Sequence, residues 1–393
     1  MDFNKTKSDD KKYIANTYSR FDICIVGGKN ATLVDSDGRE VIDFTSGIGV
    51  NSLGISDDNW VQAISEQAAR LQHISNIFYT EPAIKAAKAL IKATSFDKVF
   101  FSNSGAEANE GAIKIARKRS FDKYGEGRAN IVTLKNSFHG RTITTLAATG
   151  QDVFHDFFHP FTQGFRYAQA NCIDSLLEQI DDTVCGVMIE LIQGEGGVLP
   201  LEKSYVDEVV RICNENDLTL IVDEVQTGIG RTGSFLCCEQ YGISPDVVTL
   251  AKGLGSGLPI GAILMSSEVS SVLGAGSHAT TFGGNPIACA GAYEVVKRVG
   301  NSDFLQDIAK KGDYIRERLS KLDGITSISG AGLMLGIELA DKKAAEVVAD
   351  CIKAGALFLT AKSKLRLLPP LTISYEEIDK GLEVLEQVLN RQY

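Results

Sequence analysis

Asp223 and Lys252 are the two residues of this 393-residue chain whose types and positions could do chemistry together. Thr219–Val222 is a short, apolar, β-branched run, which reads as a strand buried on both faces. It ends on two acids, Asp223 and Glu224. A second such run, Asp246–Ala251, ends on Lys252 and runs at once into a Gly-rich turn. Acid and lysine thus stand 29 residues apart, each at the carboxyl end of a buried strand. That edge is where open α/β sheets bind ligands. A desolvated lysine there can form a Schiff base with a carbonyl. An acid facing a pyridine nitrogen keeps that nitrogen protonated, so the ring accepts electrons from a carbanion. Together they meet the demand of pyridoxal 5'-phosphate (PLP) on its protein. Taken singly, a D-E pair or an A-K-G triplet is an ordinary loop.

Other stretches supply what such a pair would need around it. Lys98–Arg119 reads as a buried strand, VFF, running through SNSGA into a long helix. The amides opening that helix make an anion site, with Ser104, Gly105 and Ala106 placed to cradle a phosphate; an ordinary helix cap uses the same residue types. Ile131–Gly150 repeats strand, loop and helix. In its loop Phe138 can lie flat on a pyridine ring, and Arg141 can hold a carboxylate by a bidentate pair. Cys185–Pro200 is a strand ending in Glu190, then a loop with Gln193 and Glu195. One rival motif is Gly228–Gly233, which satisfies G-x-G-x-x-G with Asp246 18 residues after its first glycine. A dinucleotide fingerprint should join its strand directly to a helix. Here Asp223–Thr227 intervenes, and its acids would face a pyrophosphate.

The longer words VDEVQTGIGRTG and TLAKGLGSGLPIGA, in this order and spacing, resemble the cofactor-binding core of class III (ornithine-type) aminotransferases. NSFHGRT, GEGGV, HATTFGGNP and LRLLPPL extend the resemblance over almost the whole chain. The resemblance implies the fold-type I architecture: an α/β large domain with a mostly parallel sheet over residues 52–286, and a smaller α+β domain from residues 1–51 and 287–393. It also implies PLP as cofactor, with Lys252 as its attachment point, Asp223 at the ring nitrogen, Gln226 at the ring 3-oxygen and Phe138 stacked on the ring. Gly105 and Ala106 would meet the phosphate. Thr281 would reach the phosphate in the neighbouring subunit of a homodimer, and Thr280 would contact substrate. Arg141 would grip the substrate carboxylate, while Glu195 pairs with Arg366 and swings away when a dicarboxylate binds.

Within the family the words look most like acetylornithine aminotransferases, moving the side-chain amine of N2-acetylornithine to 2-oxoglutarate and releasing glutamate. Ornithine, succinylornithine and succinyl-diaminopimelate aminotransferases share nearly all of them. Two departures stand out: Leu191 occupies a position where relatives carry proline, and Ile55 one where they carry histidine. Readings of another class are a PLP-binding protein without turnover and an NAD-dependent oxidoreductase.

The elements around these words are ordinary. ATLVDSDGREVIDF alternates about Asp37-Gly38 as a hairpin, and Asn59–Leu71 reads as a helix. Phe78 and Tyr79, before a Pro-started helix, serve equally as pocket wall or packing. A net charge of −10 and a pI near 5.2 argue against nonspecific binding to nucleic acid or anionic membrane. No apolar run approaches the ~18–20 residues that span a bilayer. The polar start, MDFNKTKSDDKK, is neither a signal nor a transit peptide, so the expectation is a cytoplasmic protein. Eight cysteines without C-x-x-C read as reduced core residues. Five histidines show no metal-binding spacing, although His155 and His159, four apart, could share a helix face; no third ligand is apparent and no metal is expected.

Overall fold

The computed structural model describes residues 2–391. Its centre is a seven-stranded sheet. In chain order the strands are β1 (Lys98–Ser102), β2 (Asn130–Leu134), β3 (Phe165–Ala168), β4 (Val184–Ile189), β5 (Thr219–Asp223), β6 (Val247–Leu250) and β7 (Gly261–Met265). In space the order is β1-β7-β6-β5-β4-β2-β3. All run parallel except β7, which is antiparallel to both neighbours. β4, β5, β6 and β7 are buried at every position, as expected of strands covered on both faces by helices.

That topology gathers one edge. The carboxyl ends of β1, β6, β5, β4 and β2 point the same way, and the amino end of antiparallel β7 joins them. Helix Gly105–Tyr124 leaves that edge after β1 and packs its buried side, including Ala108, Ala112, Ile115 and Ala116, across the sheet. Its small residues let helix and sheet approach closely.

Two four-stranded sheets flank this body, and Ile192–Gln193 pairs with Leu199–Pro200 as a two-stranded one. The predicted hairpin exists: Thr32–Asp35 pairs antiparallel with Glu40–Asp43, which continues to Ala356–Leu357 near the C-terminus. The second sheet orders Ile325–Ala331, Met334–Leu339, Lys364–Leu367 and Leu359–Ala361. Helix Pro286–Val299 packs on Asp58–Arg70 and Glu81–Ala93. Glu377, the N3 residue of helix Tyr375–Leu389, caps that helix and also accepts hydrogen bonds from Asn30 and Thr32. The chain's two ends are thereby tied together.

Two pairs whose roles the sequence leaves open can be placed. His155 and His159 share no helix: a short 3-10 turn ends at Phe154, and His155 caps it. The cis His159-Pro160 peptide lies in the irregular chain that follows. His155 instead sets its Nε2 against the Leu146 carbonyl at 2.9 Å. Phe78 and Tyr79 wall no cleft within the chain; both are exposed. Six cysteines are buried and all eight are reduced. Among the described residues no helix is long and apolar enough to cross a membrane.

Candidate active site

The gathered sheet edge opens into a cleft of about 420 Å³. Asp223, the last residue of β5, stands in it, almost fully buried. Three donors converge on its carboxylate. His139 Nδ1 lies 2.8 Å from Oδ2, Asn109 Nδ2 donates to Oδ2 at 2.8 Å, and the Val225 amide donates to Oδ1 at 3.0 Å. Asn109 is itself fixed: it donates to the His139 carbonyl at 2.7 Å and accepts from Thr249 on β6 at 2.7 Å. The acid is thus held by the helix after β1, the loop after β2 and the strand beside it. Neighbouring Glu224 turns away and accepts from the Cys237 and Cys238 amides at 2.6 and 2.8 Å. Only one of the two acids belongs to the cleft.

Lys252 enters from the end of β6 on a single 3-10 turn, Lys252–Leu254, with its own φ at 39°. A side chain rarely adopts this left-handed region, and such strain clusters at functional sites. Its Nζ makes no hydrogen bond or ion pair among the described residues. Burial pulls the amine below the usual lysine value, helped by the charge of Arg366 and opposed by Glu195, Asp223 and Glu190. A lysine with a depressed pKa carries a larger nucleophilic fraction near neutral pH.

The far wall is the start of helix Gly105–Tyr124. Ser104 is its N-cap, accepting from the Glu107 amide at 3.2 Å; the cap reading and the anion reading hold together. Gly105 and Ala106 line the cleft, and their amides, in the helix's first turn, have no acceptor within it, the arrangement that suits an anion. A Cβ on Gly105 would come within 2.7 Å of the Val225 side chain, so glycine alone lets the helix start sit this close to the β5 loop. Phe138 lines the same cleft, its amide held at 2.9 Å by Glu190 Oε2.

Next to Gln226 of the cleft lining, Glu195 and Arg366 meet: Nη1 to Oε1 is 2.6 Å. Arg366 comes from strand Lys364–Leu367 and is almost fully buried. Burial would raise the Glu195 carboxyl, but the charge and hydrogen bond of Arg366 hold it below the usual carboxylate range. Gln226 bridges the pair and the cleft: its Nε2 donates to Glu195 at 3.3 Å and its Oε1 accepts from Arg366 at 3.5 Å. Arg141 lines the mouth, exposed. Thr280 Oγ1 accepts from Asn103 at 3.0 Å beside the helix start. Thr281 is exposed and does not line the cleft.

Two participants escaped the sequence reading, His139 and Asn109; Glu190, legible as the end of its strand, carried no role there. His139 sits inside the NSFHGRT word, where the aromatic and the arginine drew attention. Asn109 is one polar residue on a helix, four positions beyond Gly105, which puts it on the same face. Glu190 is nearly fully buried at the end of β4. Burial pushes its carboxyl up to about 7, with Asp223 adding and His139, the Phe138 amide and Lys252 opposing. The His139 ring resists charge through burial, yet Asp223 and Glu190 outweigh this and raise its pKa.

Gly228–Gly233 opens no helix; the next begins at Cys237. These glycines face Leu250, Val299 and Ala309 rather than the cleft, and the Asp246 carboxylate accepts from the Leu220 amide. The motif is packing.

A parallel α/β sheet with a buried lysine and a clamped acid at its carboxyl edge defines an enzyme of the lysine–cofactor type. The aminotransferase class-III family profile matches residues 13–389. The chain is 49% identical over 392 residues to the acetylornithine aminotransferase of Haemophilus ducreyi, covering 99% of this chain and all of that one. It is 47% identical to that of Caldanaerobacter subterraneus subsp. tengcongensis, covering 97% and 98%. Among solved structures it matches N-acetylornithine aminotransferase from Stenotrophomonas maltophilia, with a TM-score of 0.84, 34% identity and 97% and 98% coverage. It also matches ornithine aminotransferase from Toxoplasma gondii, with a TM-score of 0.94, 30% identity and 99% and 95% coverage. The chain belongs to the class III aminotransferases.

Proposed function

We propose that this aminotransferase uses PLP to move the side-chain amine of N2-acetylornithine to 2-oxoglutarate, giving N-acetylglutamate 5-semialdehyde and glutamate. The observation that carries the reading is the convergence of Lys252, Asp223, Phe138 and the Gly105–Ala106 amides on one cleft. Those residues fit the cofactor: an anion end where only glycine fits, an aromatic face, a clamped acid and a desolvated amine. PLP, when bound, supplies an exchangeable carbonyl and a ring that takes up the electrons of a substrate carbanion. Lys252 would hold the cofactor through its amine and, once freed, would carry the proton removed from the donor's amine-bearing carbon. Asp223 keeps a proton at the ring nitrogen, and its three donors keep the carboxylate aimed. Gln226 donates to the ring 3-oxygen. Arg141 takes a substrate carboxylate, and Thr280 contacts the substrate near the helix start.

The Glu195–Arg366 contact favours a donor reacting through a side-chain amine. Such a donor sets only a CH2 beside Arg366, which then needs Glu195; glutamate brings its own carboxylate there and displaces Glu195.

A homodimer with shared sites completes the reading. Thr281 lies outside its own chain's cleft, among exposed apolar side chains: Ile77 is 82% exposed, Tyr79 99% and Phe282 60%. A second copy covering this face would bring Thr281 to its neighbour's phosphate site. We place the large domain at 52–286 and the smaller one at 1–51 with 287–393, of which residues 1, 392 and 393 lie outside the described residues.

The test is an amine-donor screen with 2-oxoglutarate, comparing acetylornithine, succinylornithine, ornithine, acyl-diaminopimelates and 4-aminobutyrate. Highest kcat/KM for acetylornithine supports the reading; a clear preference for another donor replaces the substrate and keeps the class.

A further inference from the structure

Arg141 is an exposed arginine whose guanidinium makes no hydrogen bond or ion pair among the described residues. It is nonetheless held. Its guanidinium carbon lies 4.1 Å from the centroid of the Phe154 ring and 5.4 Å from that of Phe138. The two rings meet edge to face, 5.8 Å apart at 77°. Phe154 thus sits against both the cleft's aromatic wall and its carboxylate-binding cation.

The chain places Phe154 there deliberately. The Gly150 amide donates to Ser137 Oγ at 3.0 Å, the Asn136 amide to the Gly150 carbonyl at 2.7 Å, and Gln151 Nε2 to the Ser137 carbonyl at 3.0 Å. A Cβ on Gly150 would come within 2.1 Å of the Leu134 carbonyl oxygen, so glycine is required for this stitch. Residues 149–151 are thereby laced to the loop that carries Phe138 and Arg141. The 3-10 turn Asp152–Phe154 follows at once, and His155 anchors its far end on the Leu146 carbonyl.

We infer that Phe154 is a positioning residue for substrate carboxylate recognition, holding Arg141 by its face so that its edge stays open. A guanidinium can do both, because aromatic rings take its planar face while a carboxylate takes the N–H groups in its plane. Without the ring, the long side chain must be ordered at each binding event. The inference rests on the proposed carboxylate role of Arg141.

Steady-state kinetics of the PLP-loaded enzyme test it. Phe154→Leu keeps apolar bulk and removes the π face; it should raise KM for 2-oxoglutarate about 3- to 10-fold and leave kcat within about twofold. Phe154→Tyr should restore the wild-type KM. In an Arg141→Ala background, Phe154→Leu should change KM no further, since the two act as one unit. If Arg141→Ala leaves KM unchanged, the carboxylate reading itself fails. If Arg141→Ala raises KM but Phe154→Leu does not, or does so equally with Arg141 absent, the positioning role is overturned and the carboxylate reading stands. Cofactor absorbance and thermal unfolding of each variant exclude misfolding as the cause; a kcat loss with unchanged KM would also overturn it.

Discussion

The floor of the cleft and its mouth are built by different physics. On the floor, Asp223, Asn109, His139 and Thr249 are buried and joined by hydrogen bonds of 2.7–2.8 Å that tie two strands, a helix and a loop. Each polar atom has little freedom, because an unmade bond there costs its full desolvation penalty. At the mouth, Arg141 is exposed and held only by ring faces. The difference matches the two tasks. A cofactor that stays can be met by a rigid, complete site; substrates that alternate need groups able to yield.

Breaking the floor should have the largest effect. Lys252→Ala should abolish amino transfer and the absorbance of the lysine-bound cofactor while the protein stays folded; near-normal turnover would sink the proposed mechanism. Asp223→Asn should still bind PLP but lose on the order of 10²–10⁴ in kcat, since the amide cannot hold the ring proton. An unchanged rate would move that role to another group.

The Glu195–Arg366 pair stands beside Gln226 of the cleft, its arginine almost fully buried and its glutamate 29% exposed. Removing Glu195 leaves a nearly buried arginine without its partner, a cost of about 3–5 kcal/mol when the donor offers no carboxylate in exchange. Glu195→Ala should slow the acylornithine half-reaction by on the order of 10²-fold and favour the glutamate one. Single-turnover spectra with each donor separate the two. Equal losses in both would refute the switch even if overall activity fell.

A milder test asks whether the cofactor site is shared between chains. Mixing inactive Lys252→Ala with Thr281→Ala protein should restore part of the activity, because one hybrid site then has both residues intact. No recovery despite demonstrated subunit exchange would count against a crossing Thr281.

The same division governs what was legible in the sequence. Strands β5 and β6 are uninterrupted apolar runs, so their ends, Asp223 and Lys252, could be located from pattern alone. The SNSGA word announced the helix start in the same way. The hydrogen-bonding partners of Asp223 could not be seen, because Asn109 and His139 are 114 and 84 positions away from it and carry no periodic signal. Nor could the fate of Phe78 and Tyr79 be read, since an aromatic before a helix looks alike whether it faces a cleft, a core or another chain. His155 and His159 had helical spacing without a helix, because the chain there is committed to the turn that ends at Phe154. Local pattern fixes strands and their ends; it says little about which distant polar groups meet.

The smallest expected effect concerns Glu190, a second buried carboxyl of the floor beside Asp223. It accepts from the Phe138 amide at 2.9 Å and is almost fully buried, and burial pushes its carboxyl up to about 7. In the unfolded chain a glutamate titrates near 4.3. The folded protein therefore binds this proton more tightly than the unfolded one. Its contribution to stability is complete below about pH 4 and is lost as pH rises through about 7, on the order of 3–4 kcal/mol in all. Glu190→Gln keeps an acceptor for the Phe138 amide and removes the titration. Without bound cofactor, the variant's unfolding temperature should fall less than the wild type's between pH 5 and 8, by a few degrees at most in a chain of this size. Parallel curves would mean that Glu190 is ionised throughout, with His139 carrying the compensating charge. The floor would then hold an ion cluster instead of a protonated acid.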